Sequence, residues 1–217
     1  MASENRVQWV YASKDRGELA ARYDEWAKDY DADLANDFEW RGAELAWATF
    51  AKYVSSDARV MDVGVGTGLA GWELTKLGFS NMDGFDLSPG MIEEAKAKAK
   101  AKAKAKAKGW YRSLKVEVLG EPLGDYADDT YDAALATGVF TEGHAPASGF
   151  DEVVRIVKPG GYFVITLRPD IYETNGFKAK EAELAGKMTL VKATDPVAML
   201  PKGEPDIRHQ VRVYEIL

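Results

Sequence analysis

An α/β fold built on a mostly parallel sheet is predicted by three observations. Short apolar runs alternate with longer helical segments, a glycine-rich turn joins the first run to a helix, and two purely helical stretches precede them all. An antiparallel last strand and an N-terminal helical cap complete the expected architecture. At 217 residues one such domain can bury a sizeable core, and two of comparable size cannot. The expected organisation is therefore a single domain, with residues 1–56 as the cap and 57–217 as the core.

The cap comes first. Leu19, Tyr23, Trp26 and Tyr30 fall at spacings of four, three and four, which is one face of a helix. Ala43, Trp47, Phe50 and Ala51 repeat the pattern in a second helical stretch. Strands are then expected at 59–63, 82–86, 114–119, 131–137 and 162–167. Helices fit between them near 69–77, 91–108 and 150–157, the alternation that gives parallel strands with crossover helices on both faces. After a helix near 178–185 the tail changes character. Strand-like runs at 188–193 and 207–217 flank the turn-rich Pro201-Lys-Gly-Glu-Pro205 and read as an antiparallel hairpin at the sheet edge.

Residues 95–108 are seven consecutive Ala-Lys pairs following Ser88-Pro89, a good helix start. Lysines that advance by about 200° per step appear on nearly all sides of a helix, so no apolar stripe is expected. Three readings stay open: a solvent-projecting extension, a basic handle for an anionic partner, or a part of the active site.

Composition excludes several classes. The chain carries 28 basic and 35 acidic residues, and seven of the lysines belong to the Ala-Lys run. The acidic remainder would repel phosphates, so no nucleic-acid partner is expected. There is no cysteine, which removes disulfides, thiolate metal sites and thiol nucleophiles together. With only two distant histidines besides, no metal site is expected. Nowhere do 18 apolar residues run together and no export signal opens the chain, so no membrane partner and a cytoplasmic location are expected. Oligomeric state is open.

The strongest local signal is Val60-Met-Asp-Val-Gly-Val-Gly-Thr-Gly68, three glycines closing a strand and opening a helix. Such glycines let the chain turn tightly and let a ligand approach the main chain, and the helix N-terminus faces that ligand. Leu69 stands where a dinucleotide fingerprint requires glycine, which disfavours a nicotinamide-dependent oxidoreductase. Asp86 ends the next predicted strand, 18 residues after Gly68, where a carboxylate can accept from both hydroxyls of a ribose or serve as a turn residue. Asp62 lies inside the first strand, a costly place for a charge, and is expected to brace the glycine loop or receive an amino group.

Together with Gly84-Phe-Asp-Leu-Ser88 and Lys158-Pro-Gly-Gly161, the glycine loop resembles the class I S-adenosylmethionine-dependent methyltransferases. Tyr23-Asp-Glu-Trp-Ala-Lys-Asp-Tyr-Asp31 resembles a helix of the ubiquinone-biosynthesis-like members. Glu121-Pro-Leu123 and Thr141-Glu-Gly-His144 look most like the methyltransferase-like family from the Williams–Beuren region. The resemblance implies a Rossmann-like class I methyltransferase fold with a seven-stranded sheet, S-adenosyl-L-methionine as cofactor, and methyl transfer to a small-molecule substrate.

It also implies residue roles. Gly64, Val65, Gly66 and Gly68 form the loop beneath the methionine part of the cofactor. Asp86 holds the ribose, and Leu87 and Met91 flank the adenine, whose edge meets the backbone at Leu119 and Gly120. Thr137 faces the methionine, and Tyr30 closes over the cofactor from the cap.

Sulfonium methyl transfer is an in-line displacement in which positioning and exclusion of water do most of the work. A base is needed only where the acceptor must lose a proton. Loops 137–147 and 168–177, at the carboxyl ends of the strands, offer His144 as a candidate base. Glu142 is a candidate to orient an amine or hydroxyl, and Arg168 to bind a carboxylate or to pair with Asp170. Trp26, Tyr30 and Trp40 are candidates to box an apolar or cationic substrate, and His209, in the last strand, reads as structural.

The alternatives are a protein methyltransferase, a non-catalytic cofactor-binding or regulatory protein of the same fold, and aminopropyl transfer. The Ala136-Thr-Gly-Val-Phe140 segment lacks the Asn-Pro-Pro-Tyr or Asp-Pro-Pro-Tyr motif of the amino-methylating DNA enzymes.

Overall fold

The computed structural model describes residues 5–103 and 110–217. Four helices come first: α1 (Arg6–Tyr11), α2 (Arg16–Trp26), α3 (Tyr30–Asn36) and α4 (Gly42–Tyr53). The expected single helix bearing Leu19, Tyr23, Trp26 and Tyr30 is thus two. The chain breaks after Trp26, and Tyr30 begins the next helix. The core follows as β1 (Val60–Val63), α5 (Leu69–Lys76), β2 (Met82–Asp86), α6 (Pro89–Ala103), β3 (Tyr111–Val116), β4 (Tyr131–Phe140), α7 (Gly149–Ile156) and β5 (Val157–Leu167). Then come α8 (Phe177–Glu183), β6 (Met188–Ala193), the two-residue β7 (Val197–Ala198) and β8 (Arg208–Ile216).

The strands form one sheet in the order β3-β2-β1-β4-β5-β8-β6, with β7 paired to β8 off that path. Strands β1 to β5 pair in parallel, and β8 runs antiparallel to both β5 and β6. The mostly parallel sheet and the antiparallel C-terminal hairpin are as expected, and β7 adds an eighth, minimal strand. The third strand lies earlier than the sequence suggested, at Tyr111–Val116, because residues 117–119 leave the sheet to form the wall of a cleft.

Strand alternation builds two cores. Met61, Val63, Ala134, Ala136, Phe163, Ile165 and Tyr214 face one side, against Phe150, Val153 and Ile156 of α7. Val60, Ala133, Leu135, Val164, Val211 and Val213 face the other, against Ala46, Trp47 and Phe50 of α4 and Ala70 and Leu74 of α5. Every residue of β1 and β2 is buried, as a central parallel strand covered on both faces requires.

Helix α6 corrects the expectation that the Ala-Lys run has nothing to bury. A two-residue repeat places the same residue type at i and i+4, so alanines also stack into a face. Ile92 and Ala95 are buried against Val65, and Ala99 packs on the core, while Ala97 and Lys96 face solvent. The run beyond Ala103 lies outside the described residues.

Two aspartates dock the cap on this helix. Asp24 Oδ1 accepts the Ser88 hydroxyl at 2.5 Å and the Gly90 amide at 2.7 Å, so a residue of α2 caps the N-terminus of α6. Ser88 Oγ in turn accepts the Met91 amide at 3.0 Å. Seven residues on, Asp31 accepts from the Thr67 hydroxyl of the glycine loop and from Lys98 of the Ala-Lys run. Removing a capping carboxylate costs about 1 kcal/mol. Asp24→Ala is expected to lower unfolding stability by about that amount in urea denaturation, and an unchanged midpoint would show that this contact does not hold the cap.

Candidate functional site

After Val63 the chain turns through Gly64 (φ +67°), Gly66 (φ +52°) and Gly68 (φ +86°), backbone angles that favour glycine. The amides of Gly64 and Val65 both donate to the Phe85 carbonyl, at 2.9 and 3.0 Å, which fixes the loop to the end of β2. The next residue of that strand completes the tie: Asp86 accepts the Gly66 amide on Oδ2 at 2.8 Å and the Ser88 amide on Oδ1 at 2.9 Å. A side chain at Gly64 would meet Val139 at 2.4 Å, whereas one at Gly66 would meet only the Tyr30 ring, 4.0 Å away. The loop therefore leaves an open cradle over Gly66, roofed by an aromatic ring.

Two acids lie beneath the loop. Burial pushes the Asp86 carboxyl up to about 6, against the pull of the amides of Ser88, Gly66 and Leu87. Burial likewise pushes Asp62 up to about 7, opposed by the Tyr111 hydroxyl and reinforced by the charge of Asp86. Tyr111 donates to Asp62 Oδ2 at 2.5 Å and accepts the Gly71 amide at 3.1 Å, so Asp62 braces the first turn of α5. Asp62 Oδ1 has no partner among the described residues.

A cleft of about 720 Å³ opens above the loop. Of the residues singled out in the sequence, Tyr30, Gly64, Gly66, Asp86, Leu87, Met91, Leu119, Thr137 and His144 line it. The others lie elsewhere. Val65 packs on Ile92 and Ala95, and Gly68 precedes α5. Gly120 turns with φ +93° beside Pro146, and Asp62 sits under the loop. The exposed Glu142 accepts from Asn175 at 3.2 Å. Arg168, although buried, is held by Asp170 at 2.6 and 3.1 Å.

His144 is not a free loop histidine. Its Nδ1 lies 2.7 Å from the Glu142 carbonyl, which has only lone pairs to offer, so Nδ1 carries the proton. Nε2 is then an acceptor, and the Tyr23 hydroxyl donates to it at 2.7 Å. Tyr11 and Tyr23 both pack edge-on against the ring, with centroids 5.3 and 5.6 Å away, and this enclosure lowers its pKa to about 4.

A second cavity of about 550 Å³ adjoins the first, sharing Tyr23, Tyr30 and Gly138. Trp26 and Trp40 belong to its walls, together with Val10, Leu34 and Leu200. So does His209, which is a cavity residue as well as a member of β8. Among the described residues no group of three His, Cys, Asp or Glu is placed to hold a metal ion, and no helix is long and apolar enough to cross a membrane.

The roles of Asp24, Asp31 and Lys98 were not read from the sequence. The signal was present as the repeat Tyr23-Asp24…Tyr30-Asp31: each tyrosine faces a cavity and each aspartate ties down the cap.

Comparison with known proteins agrees with this fold. A methyltransferase domain model matches residues 61–165, from β1 into β5. The chain belongs to the class I S-adenosylmethionine-dependent methyltransferases, and S-adenosylmethionine is their cofactor. Within them it is a relative of methyltransferase-like protein 27 of Homo sapiens, 32% identical over 182 residues that cover 82% of this chain and 69% of that one. Demethylmenaquinone methyltransferase of Clavibacter sepedonicus is 28% identical over 160 residues, 70% of this chain and 59% of that one. The solved TehB-like S-adenosylmethionine-dependent methyltransferase of Corynebacterium glutamicum shares the fold, with a TM-score of 0.63 at 18% identity over 91% of this chain and 99% of that one.

The His144 arrangement makes a direct expectation. With a pKa near 4 the ring stays neutral above pH 5.5, as its Nδ1–H tautomer. Ring ¹⁵N spectra should show an unprotonated Nε2 whose shift is flat from pH 5.5 to 8. Titration within that window would refute the assignment.

Proposed function

We propose that this chain transfers the methyl group of S-adenosylmethionine to a small-molecule acceptor held in the second cavity. The observation that carries the reading is the shared wall of Tyr23, Tyr30 and Gly138, which sets a largely apolar cavity against the cleft over the glycine loop. Concave, largely apolar sites with a few polar groups suit small molecules, whereas a protein substrate needs an open groove. The relative named for demethylmenaquinone, itself a small molecule, supports the same class.

The cleft fits the cofactor. The open cradle over Gly66 accommodates a ligand against the main chain, and Gly64 continues it. Asp86, ionised, accepts from ribose hydroxyls while keeping its amide partners, since each carboxylate oxygen has two lone pairs. Leu87, Met91 and Leu119 supply apolar walls for an adenine ring, and Thr137 and Tyr30 approach the methionine end. Val65, Gly68 and Gly120 serve by shaping the backbone, and Asp62 by bracing it. Bound there, the cofactor supplies a methyl group on a sulfonium.

The protein's chemical part is modest. Tyr23 and His144 stand at the junction of the two cavities. An acceptor O–H or N–H can pass its proton to Tyr23 Oη while the Tyr23 proton moves to His144 Nε2. A base with a pKa near 4 is adequate for an oxygen acceptor, because an oxygen forming its third bond is a strong acid. Arg168 and Glu142, satisfied by Asp170 and Asn175, are assigned no chemical role.

The test is calorimetry with S-adenosylmethionine, S-adenosylhomocysteine and NAD⁺, followed by a small-molecule acceptor screen scored by S-adenosylhomocysteine release. Micromolar binding of the two adenosyl compounds but not NAD⁺ is expected, with turnover on at least one acceptor. Turnover only on proteins would overturn the acceptor assignment. Asp86→Ala should weaken cofactor binding by about 1.5–3 kcal/mol, the scale of hydrogen bonds to a charged group.

The pH dependence follows with a definite sign. Asp86 accepts best when ionised, so affinity should be level well above pH 6 and fall as pH drops through about 6, by up to about tenfold per unit. Asp62 titrates near 7 but lies off the cleft, so Asp86→Asn should abolish the step. A step that survives in that variant would belong to another group.

A further inference from the structure

One wall of the second cavity is polar, and its hydrogen-bonding capacity is not filled from within. His209 is 7% exposed, lines the cavity, and has a buried Nδ1 without a partner among the described residues. Beside it stand two hydroxyls already in use: Thr166 Oγ1 accepts the Gly138 amide at 2.8 Å, and Thr141 donates to Tyr11 Oη at 3.3 Å. Behind Tyr11 lies Glu204, also buried, with Oε1 taken by Gln8 and Oε2 unpartnered. A buried polar atom left without a partner is costly, and natural folds retain few, so the His209 nitrogen on the wall of this cavity calls for a ligand.

The remaining walls define what that ligand is. They are apolar or aromatic, and no carboxylate, lysine or arginine is among the residues lining the cavity. Arg168, whose charge reaches His209, is paired with Asp170. A charged molecule would lose its hydration here and gain no counter-ion. An uncharged molecule with an apolar ring would lose nothing and stack among Trp26, Trp40 and Tyr30.

We propose that His209 is an acceptor-binding residue, and that the acceptor is an uncharged molecule with an aromatic or alicyclic body and a hydroxyl hydrogen-bonded to His209 Nδ1. The inference rests on the second cavity being the acceptor site and names the chemistry that site selects. Burial keeps the His209 ring neutral, with a pKa near 4, so one ring nitrogen can accept a hydroxyl proton throughout the neutral range.

The test uses the full chain saturated with S-adenosylhomocysteine and three probes: 4-propylphenol, propylbenzene and 4-propylbenzoate. Calorimetry should show the phenol binding at least tenfold more tightly than the hydrocarbon and the benzoate. The phenol should also move the His209 ring ¹⁵N resonances. His209→Phe, which keeps the ring and loses both nitrogens, should erase the preference for the phenol while S-adenosylhomocysteine still binds as in the parent. A preference that survives in His209→Phe, or equal binding of phenol and hydrocarbon, would overturn the proposal. Should the variant fail to fold, the ¹⁵N response of the parent decides: its absence at phenol saturation counts against His209. A phenol held by His209 in a chain that turns over no acceptor of the screen would count against the transfer reading and in favour of the binding site.

Discussion

The arrangement depends on a buried carboxylate at the end of β2. Asp86 joins three things that the sheet alone would leave separate: the glycine loop through the Gly66 amide, the start of α6 through the Ser88 amide, and the floor of the cleft. An ionised acid is expensive in such a place, and its raised pKa measures the expense. Backbone amides offset part of that cost, leaving lone pairs for hydroxyl donors from a ligand. Asp62 is the same solution turned inward, spending its hydrogen bond on Tyr111 and α5. The charge of Asp86 also raises the pKa of Asp62, so the loop is poised to gain from donors that arrive at Asp86.

The cap is fastened by contacts of the same kind at its periphery. Asp24 satisfies orphan donors at the start of α6, which any helix N-terminus must place somewhere, and the docked helix carries Tyr23 to His144. Asp31 reaches both Thr67 and Lys98, so the cap grips the glycine loop and the helix behind it together. Formation of the cleft roof is thus coupled to the loop that forms its floor.

The core and the cleft over the glycine loop were legible in the sequence because they are local. Strand periodicity, a glycine loop and an acid one strand later are short-range patterns, and nine of the named residues line one cleft. What escaped was set by long-range contact. Nothing near His209 announces a cavity; the cap helices, 170 or more residues away, close over it. Arg168 is the contrasting case: its pairing with Asp170, only two residues on, was one of the two readings the sequence left open. Tyr23 looked like a core aromatic because helical spacing records a face without saying what lies opposite. The break between α2 and α3 escaped for a related reason: Leu19, Tyr23, Trp26 and Tyr30 keep helical spacing across it.

The Ala-Lys run shows why a repeat of such low complexity is tolerated beside a cleft that must be accurate. The N-terminus of α6 is held by Ser88 and Asp24 before the repeat begins, and Met91 and Ile92 anchor the first turn in the core. Ala95 and Ala99 then require only that small residues recur every fourth position, which a strict two-residue period provides once an alanine falls at 95. Lys98, one turn beyond Glu94, is where the repeat meets the cap, and its partner Asp31 belongs to the same turn of α3 as Tyr30. Further out along the helix, identity ceases to matter to the cleft, because each turn adds about 5.4 Å of distance from the glycine loop. Precision at this site is therefore confined to the first two and a half turns of α6, and the repeat reaches it through one lysine.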